Sequence, residues 1–229
     1  MNNIIVTGSN SGLGESICEH LRKDENTNVI KADKWEVDLT DYTSVHEFSL
    51  DVKVEVHGII NCAGVNRIDY LDKFTEEDWD LVMDTNAKSI FNMSKHFLQK
   101  LKDTKGFIVN IVSNASHMPM TNSLAYNASK GAAHIMTLQL ARELSKAHGI
   151  TVFGISPNKL SGTGMSDYID SRVPSVRGWT PEQAKEYQLN ALLAGEETDP
   201  DSLAEFLAFL LSTKQRHKYL TGTIIPYGA

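Results

Sequence analysis

The chain has 229 residues, of which 41% are hydrophobic and 22% charged, and its formal net charge is −7. This length fits one domain, and this composition excludes a disordered or fibrous chain. The acidic balance disfavours nucleic acid and anionic membrane surfaces as partners, because both are bound through a basic face. The sequence therefore predicts a single globular domain, residues 1–229, whose partner is a small molecule.

The sequence also predicts where this protein works. No basic and apolar leader precedes the first strand, and no stretch approaches the ~20 apolar residues that a membrane span requires. Two cysteines, Cys18 and Cys62, are too few for a disulfide framework. The histidines and cysteines show no metal-ligand spacing. We therefore expect a cytoplasmic protein without a metal site.

Strand and helix patterns alternate along the chain. In chain order the predicted elements are strand 3–7, helix 15–23, strands 28–31 and 35–37, helix 43–50, strand 56–61, helical region 79–101, strand 107–112, helix 125–147, strand 151–156, helix 202–211 and strand 223–226. This order predicts an α/β fold, a doubly wound parallel sheet of the Rossmann-like type. The glycine- and proline-containing stretch 157–200 interrupts the pattern, and we interpret it as a substrate loop.

A glycine-rich turn follows the first strand and opens a helix. Such a turn lets backbone approach a pyrophosphate, and the helix N-terminus supplies free N–H groups and a positive dipole end. Its spacing is G-x-x-x-G-x-G, which differs from the usual G-x-G-x-x-G fingerprint. The sequence therefore predicts cofactor binding by Gly8, Ser9, Asn10, Ser11, Gly12, Leu13 and Gly14.

An acidic residue, Asp33, follows the second predicted strand. A carboxylate at this point accepts hydrogen bonds from the adenosine ribose and repels a 2′-phosphate, which favours NAD(H). Lys31 and Lys34 flank it, and a lysine could instead receive that phosphate, so NADP(H) stays possible.

Two residues with acid–base chemistry, Tyr126 and Lys130, lie four apart and share one helix face. A tyrosine titrates near 10 in water. An adjacent ammonium, together with the positive charge of an oxidised nicotinamide, would lower that pKa and make the phenol a usable general acid or base. Ser113 ends the preceding strand, at the sheet edge where ligands bind in this architecture, and its hydroxyl could hold the substrate oxygen. Asn86 stands inside a helix, where it either kinks the helix or holds a water.

Together these residues resemble the short-chain dehydrogenase/reductase family over nearly the whole chain. The resemblance implies that Asp38 and Leu39 border the adenine, and that Asn61, Ala63 and Gly64 border the adenosine half of the cofactor. It implies that Tyr126 is the general acid/base and that Ser113 orients the substrate oxygen. It further implies that Lys130 binds the nicotinamide ribose and lowers the pKa of Tyr126, while Asn86 holds a water in a proton relay.

Two segments depart from the family's pattern. Only residues 34–36 separate Asp33 from the predicted third strand, where the family has a helix. Where the family has Pro-Gly and then threonine, Pro157 is followed by Asn158, and Thr163 stands one place late. By resemblance, Pro157 and Thr163 are the residues that contact the nicotinamide end.

These observations predict an NAD(P)-dependent oxidoreductase that interconverts a secondary alcohol and a carbonyl. A nucleotide-sugar epimerase or dehydratase is an alternative, although the short C-terminal region disfavours it. A catalytically silent dinucleotide-binding regulator is another, although the intact Ser113, Tyr126 and Lys130 set disfavours it. The resemblance also implies a homodimer or homotetramer formed through the helices predicted at 79–101 and 125–147.

Overall fold

The computed structural model describes residues 1–228, and side chains throughout that range except at positions 214 and 215. Six strands form one sheet: β1 (Asn2–Thr7), β2 (Thr27–Ala32), β3 (Gly58–Asn61), β4 (Phe107–Ile111), β5 (Thr151–Pro157) and β6 (Ile224–Tyr227). Their order is β2-β1-β3-β4-β5-β6, and every pairing is parallel. The predicted doubly wound parallel sheet is thus confirmed.

The helices connect consecutive strands. They are α1 (Gly12–Leu21), α2 (Tyr42–Asp51), α3 (Glu76–Met83), α4 (Ser89–His96), α5 (Leu98–Thr104), α6 (Leu124–His148), α7 (Gly164–Arg177), α8 (Pro181–Asn190), α9 (Pro200–Leu211) and α10 (Lys214–His217). A π-helical segment (Asp84–Lys88) joins α3 to α4, and short 3₁₀ turns occur at Leu71–Lys73, Asn114–Ser116 and Lys218–Leu220. Among residues 1–228, no helix is both long and apolar enough to cross a bilayer.

The sheet is covered on both faces because successive strand residues point to opposite sides. Ile4 and Val6 of β1 pack in one apolar cluster with α1 and α9, whereas Ile5 packs in a second cluster with α4, α5 and α6. Burial on both faces explains why the strands read as continuous apolar runs. Because every pairing is parallel, all six carboxyl ends lie at one edge of the sheet, where the candidate site lies.

The strand predicted at residues 35–37 does not form. The amides of Glu36 and Val37 both donate to the carbonyl of Asp33, at 2.8 and 2.9 Å, which closes a turn, and Trp35 is 81% exposed. A parallel strand needs a crossover of roughly a dozen residues after its predecessor, and residues 33–34 cannot supply one. The sheet therefore ends at β2.

Two other predictions are corrected. The helical region 79–101 is divided by the π-helical segment and by a break at Phe97, whose side chain is fully buried. The stretch 157–200 is largely helical, since it holds α7 and α8. Thr163 and Thr180 cap these helices through their side-chain oxygens, and Gly178 ends α7 in the left-handed conformation.

Candidate active site

The glycine loop between β1 and α1 is held so closely that side chains cannot be added to it. A Cβ on Gly8 would lie 2.8 Å from Cα of Ala63, and Gly8 has φ +64°. A Cβ on Gly14 would lie 2.0 Å from the carbonyl oxygen of Gly8. The loop therefore packs tightly on residue 63 and on the start of α1, as a pyrophosphate-binding turn requires.

Several polar groups in and around this loop make no hydrogen bond within the described residues. Ser11 is the N-cap residue of α1, yet its side chain makes no capping hydrogen bond. The hydroxyl of Ser9 and the Oδ1 of Asn61 are buried and have no hydrogen-bond partner among the described residues. Buried polar atoms are normally paired, so these groups fit a bound polar molecule at this sheet edge. A nicotinamide dinucleotide matches them with its phosphates and ribose hydroxyls.

The loop after β3 is tied to the glycine loop by Thr7. The amides of Cys62 and Ala63 donate to Oγ1 of Thr7, at 2.9 and 3.0 Å. Asn61 donates from Nδ2 to Oδ1 of Asn110 at 2.8 Å, and Asn110 donates to Oγ1 of Thr137 at 2.9 Å. This buried chain sets the orientation of the Asn61 amide. Sequence reasoning missed Asn110 and Thr137, whose signal was a polar residue inside an apolar strand and another within a helix.

Asp33 lies directly beside the glycine loop. Its carboxylate accepts from the amide of Asn10 at 3.1 Å and from the amide of Lys34 at 2.7 Å. Lys31 donates to Oδ1 of Asn10 at 2.8 Å, and the ammonium of Lys34 lies 5.2 Å from the ring centre of Trp35. The carboxylate is thus the charged group in contact with the loop backbone, while both flanking lysines have other partners.

Asp38 and Leu39 are positioned by α2 and α4. The amide of Asp38 donates to Oγ of Ser44, and the carbonyl of Leu39 accepts from Nδ2 of Asn92, each at 3.0 Å. The hydroxyl and amide of Thr40 donate to the carboxylate of Asp38, which lowers the pKa of that group. These hydrogen bonds keep the carboxylate of Asp38 ionised and hold it against Thr40.

Asn86 lies in the π-helical segment, and its amide clamps the segment after Gly64. Its Oδ1 accepts from the amide of Val65 at 2.8 Å, and its Nδ2 donates to the carbonyl of Val65 at 2.9 Å and to Oγ of Ser129 at 3.0 Å. Both amide hydrogens are therefore used within the protein. Asn86 thus lies in a π-helical interruption of the helix, and the kink and the relay water both stay predictions. Ser129, which lies between Tyr126 and Lys130, was missed.

Ser113, Tyr126 and Lys130 converge where β4 meets α6. The hydroxyl of Ser113 hydrogen-bonds the phenol of Tyr126 and also accepts from the amide of Ala115 at 3.2 Å. Lys130 is buried, donates to the carbonyl of Ile111 at 2.8 Å, and places its ammonium 5.8 Å from the ring centre of Tyr126. Helical spacing of four residues brings the phenol and the ammonium to one face, as expected.

Burial is the largest influence on the pKa values of Tyr126 and Lys130. It raises the pKa of Tyr126, against a smaller lowering by the hydrogen bond with Ser113. Burial also lowers the pKa of Lys130 to about 8. In the protein alone, then, the phenol of Tyr126 is protonated at neutral pH. The lowering predicted from Lys130 is absent in the protein alone: only Ser113 lowers the pKa of Tyr126, and the ammonium of Lys130 lies 5.8 Å from the ring centre.

The start of α7 lies against the glycine loop. Pro157 is buried at the end of β5, and Asn158 accepts from the hydroxyl of Thr198 at 2.7 Å. Thr163 caps α7 and reaches the glycine loop, since its Cγ2 lies 3.3 Å from the place of a Cβ on Gly12. Met165, two residues on, packs against Tyr126 and its apolar neighbours. Sequence reasoning missed Met165, which carried no motif.

The structure thus brings the glycine loop, Asp33, residues 61–64, Ser113, Tyr126, Lys130 and Thr163 to one edge of the sheet. Asp38 and Leu39 contact α2 and α4 instead of this group. No cluster of three or more histidine, cysteine or acidic side chains able to hold a metal occurs within residues 1–228. The arrangement can bind a dinucleotide by its phosphates and present a phenol to a polar atom beside it.

Comparison with known proteins identifies the family. Residues 25–173 match the model of the short chain dehydrogenase family. The acetoacetyl-CoA reductase of Cupriavidus necator is 30% identical over 88% of this chain and 94% of that protein. The sorbitol-6-phosphate 2-dehydrogenase of Klebsiella pneumoniae is 29% identical over 96% and 92% of the two chains. The solved structure of a short chain dehydrogenase family protein from Francisella tularensis superposes with a TM-score of 0.85 at 26% identity, covering 99% of this chain and 96% of that one. The chain therefore belongs to the short-chain dehydrogenase/reductase family of enzymes.

Proposed function

We propose that this protein reduces a carbonyl compound to a secondary alcohol, or performs the reverse reaction, with Tyr126 as the general acid/base. The observation that carries the proposal is the meeting of Ser113, Tyr126 and Lys130 beside the glycine loop. The chemistry supplied by a bound nicotinamide dinucleotide is hydride transfer. The residues of the protein bind it, orient the substrate and move the proton.

The protonated state of Tyr126 suits the reductive direction. Burial raises its pKa, so at neutral pH the phenol holds the proton that a reduced carbonyl oxygen must receive. The hydroxyl of Ser113 hydrogen-bonds the same phenol and can hold the carbonyl oxygen in reach of it. Lys130, whose pKa of about 8 lies close to physiological pH, exchanges protons readily and is the nearby source from which the site is reprotonated.

We propose NAD(H) as the preferred cofactor, with NADP(H) as the alternative. Members of this family use NAD(P)(H). The support for NAD(H) is the carboxylate of Asp33, which is hydrogen-bonded to the amide of Asn10 in the glycine loop and would repel a 2′-phosphate there. Lys31 and Lys34, the residues that could favour the phosphate, are engaged with Asn10 and Trp35.

We also propose that the protein acts in the cytoplasm as a homodimer or homotetramer. Helix α6, which the sequence assigned to the interface, exposes apolar side chains: Ile135 is 64% and Leu138 is 37% exposed. On α4, Phe91 is 51% exposed. Apolar area of this kind on adjacent helices is typical of a surface that another subunit covers.

The decisive experiment is the Tyr126→Phe variant, which removes the phenolic hydroxyl and keeps the ring. Wild type and variant are assayed with a panel of carbonyls and alcohols, with NADH, NADPH and their oxidised forms, by nicotinamide absorbance. We expect kcat to fall by about 1000-fold, within the range that general acid–base catalysis supplies, while the Kd for the cofactor changes less than about twofold, because the ring stays in place. Tyr42→Phe, which changes an exposed tyrosine of α2, is the matched control and should leave both unchanged.

Either of two results would contradict the proposal. Turnover retained in Tyr126→Phe would remove Tyr126 from the acid/base role. A wild-type protein that binds the cofactor but turns over no member of the panel would favour the silent regulator.

A further inference from the structure

The basic residues of the substrate loop are few and outnumbered. Residues 157–200 contain seven acidic side chains but only four basic ones, which are Lys159, Arg172, Arg177 and Lys185. An anionic substrate would need a lysine or arginine of this loop, or of the segments facing it, to pair with its charge. What each of these cations contacts therefore bears on the class of substrate.

Lys159 and Lys185 are paired within the loop. The side chain of Lys159 is only 11% exposed, and its ammonium forms ion pairs with Asp170 and, at 2.9 Å, with Glu197. It also donates to Oε1 of Gln188 at 2.5 Å. Lys185 forms an ion pair with the same Glu197. These contacts join α7, α8 and the segment before α9, so both cations hold the loop together.

The two arginines of the substrate loop have partners as well. Arg172 pairs with Asp69 and donates from Nε to the carbonyl of Ile68 at 3.0 Å, which ties α7 to the segment after β3. The guanidinium of Arg177 lies 4.8 Å and 5.0 Å from the ring centres of Trp179 and Tyr187. Both groups are thus engaged in fixing the loop.

The segment after β3, which Arg172 ties to the substrate loop, holds two further cations, Arg67 and Lys73, and both have contacts of their own. The ammonium of Lys73 lies 5.9 Å from the ring centre of Tyr70. Arg67 donates to Asp78 at 3.1 Å and to the carbonyl of Asn66 at 2.9 Å, and it lies 5.8 Å from the ring centre of Tyr168. Residues 113–124, which lead from Ser113 to α6, contain no lysine or arginine. Lys130, whose ammonium donates to the carbonyl of Ile111, is assigned by the family resemblance to the nicotinamide ribose. Apart from Lys130, a carboxylate or phosphate entering this site would meet cations that already have partners.

The surroundings of Tyr126 are apolar instead. Tyr126 packs in a cluster whose other members are Val65, Phe74, Val82, Ala115, Ala125 and Met165. Met165 is the member that comes from the substrate loop. Its methyl carbon lies 3.9 Å, and the ammonium of Lys130 lies 3.7 Å, from the place of a Cβ on Gly64. The end of the Met165 side chain and the ammonium of Lys130 thus both face Gly64, and Met165 packs against the apolar cluster that contains Tyr126.

We infer that the substrate is an uncharged ketone or secondary alcohol with an apolar substituent, and that Met165 determines this preference. The inference rests on the proposed function and specifies the substrate class of the same site. An anion placed against Met165 would be desolvated where the nearby cations already have partners, which is costly. An apolar chain placed there would instead gain burial against a flexible, polarisable side chain.

Two ketones that differ only in charge test the inference. In 6-methylheptan-2-one, an isopropyl group replaces the carboxylate of 5-oxohexanoate, and the rest of the molecule is identical. Calorimetry measures their Kd values in complexes of Tyr126→Phe with NADH, so that turnover does not interfere, and kcat/KM is measured separately in wild type. We expect the neutral ketone to be preferred by about 100-fold in both measurements.

Substitutions then locate the preference. Met165→Lys, which places an ammonium in the apolar wall, should reduce the ratio by about 10-fold or more. Leu50→Lys is the matched control, because it adds the same charge on the exposed face of α2 and should leave the ratio unchanged. Arg172→Gln should weaken both ketones by the same factor, because Arg172 acts through the position of the loop.

Several results would overturn the inference. For the wild-type pocket, these are equal or tighter binding of 5-oxohexanoate, or no detectable binding of either ketone at millimolar concentration. For the variants, they are an unchanged ratio of the two affinities in Met165→Lys, or a selective loss of 5-oxohexanoate binding in Arg172→Gln. Failure of the proposed function is distinguishable from these. Absence of turnover in wild type, with the binding preference intact in Tyr126→Phe, would refute the reaction and leave the ligand class standing.

Discussion

In the cofactor-free protein, the buried ammonium of Lys130 lowers the free energy of unfolding. The Lys130→Met variant should therefore have a higher free energy of unfolding than wild type. Lys130 is 4% exposed, and no carboxylate forms an ion pair with it within residues 1–228. Burial lowers its pKa from 10.5 to about 8. Since a tenfold change in a protonation equilibrium is worth about 1.4 kcal/mol, the buried ammonium costs about 3 kcal/mol.

Methionine keeps the volume of the side chain and removes the charge. It also removes the hydrogen bond to the carbonyl of Ile111, which is worth about 1 kcal/mol. The variant should therefore be more stable than wild type by about 2 kcal/mol at pH 7. Urea unfolding of both proteins without cofactor measures this difference, and the variant should be inactive in the reductase assay.

The pH dependence follows from the direction of the shift. Below about pH 8 the lysine is charged in both the folded and the unfolded protein, so the full cost is present. Between about pH 8 and pH 10.5 the folded state releases its proton first, so wild type gains stability as the pH rises. The advantage of Lys130→Met should thus be constant below pH 8 and nearly vanish by about pH 10.

Lys95→Met is the control, because Lys95 is exposed on α4. Its free energy of unfolding should change by less than about 0.5 kcal/mol. A Lys130→Met protein that is less stable than wild type at pH 7, or an advantage that does not change with pH, would refute the argument that the buried ammonium is a cost.

Two further predictions concern the cofactor. The Cβ of Gly14→Ala would lie 2.0 Å from the carbonyl oxygen of Gly8, so this variant should bind NADH about 100-fold more weakly in calorimetry. Gly164→Ala is the control, because a Cβ there meets nothing within 4 Å, and it should leave NADH binding unchanged. Equal effects of the two variants would contradict the packing argument. Asp33→Ala should raise the ratio of kcat/KM for NADPH over NADH by about 10-fold, because it removes the carboxylate that repels the 2′-phosphate; an unchanged ratio would eliminate Asp33 as the discriminating group.

The parallel sheet and the edge that holds the candidate site were predictable from local patterns. In an apolar stretch such as β1, successive side chains pack in two different apolar clusters. A continuous apolar stretch is therefore typical of a strand that is buried on both faces. Helical periodicity between them implied parallel crossovers, and parallel strands bring Thr7, Asn61 and Ser113 to one edge. The spacing of Tyr126 and Lys130 then placed both on one helix face.

Where local patterns failed, the reason was geometric or long-range. Residues 35–37 have strand-forming side chains, but the connection before them is too short for a parallel crossover. The π-helical segment depends on Asn86 meeting Val65, which lies 21 residues away along the chain. Helix α8 is an exception, because the threonine, proline and glutamine around Thr180 are a local signal for the start of a helix.

The amino-acid sequence alone determined the strand–helix alternation, the glycine turn and the candidate catalytic residues, because each depends on periodicity or on spacing within one element. Only the tertiary structure decided what surrounds those residues. Desolvation leaves Tyr126 protonated and gives Lys130 a pKa of about 8. Ion pairs with Asp69, Asp170 and Glu197 engage Arg172, Lys159 and Lys185. Burial and pairing are properties of side chains brought together from distant segments, so the chain order does not reveal them.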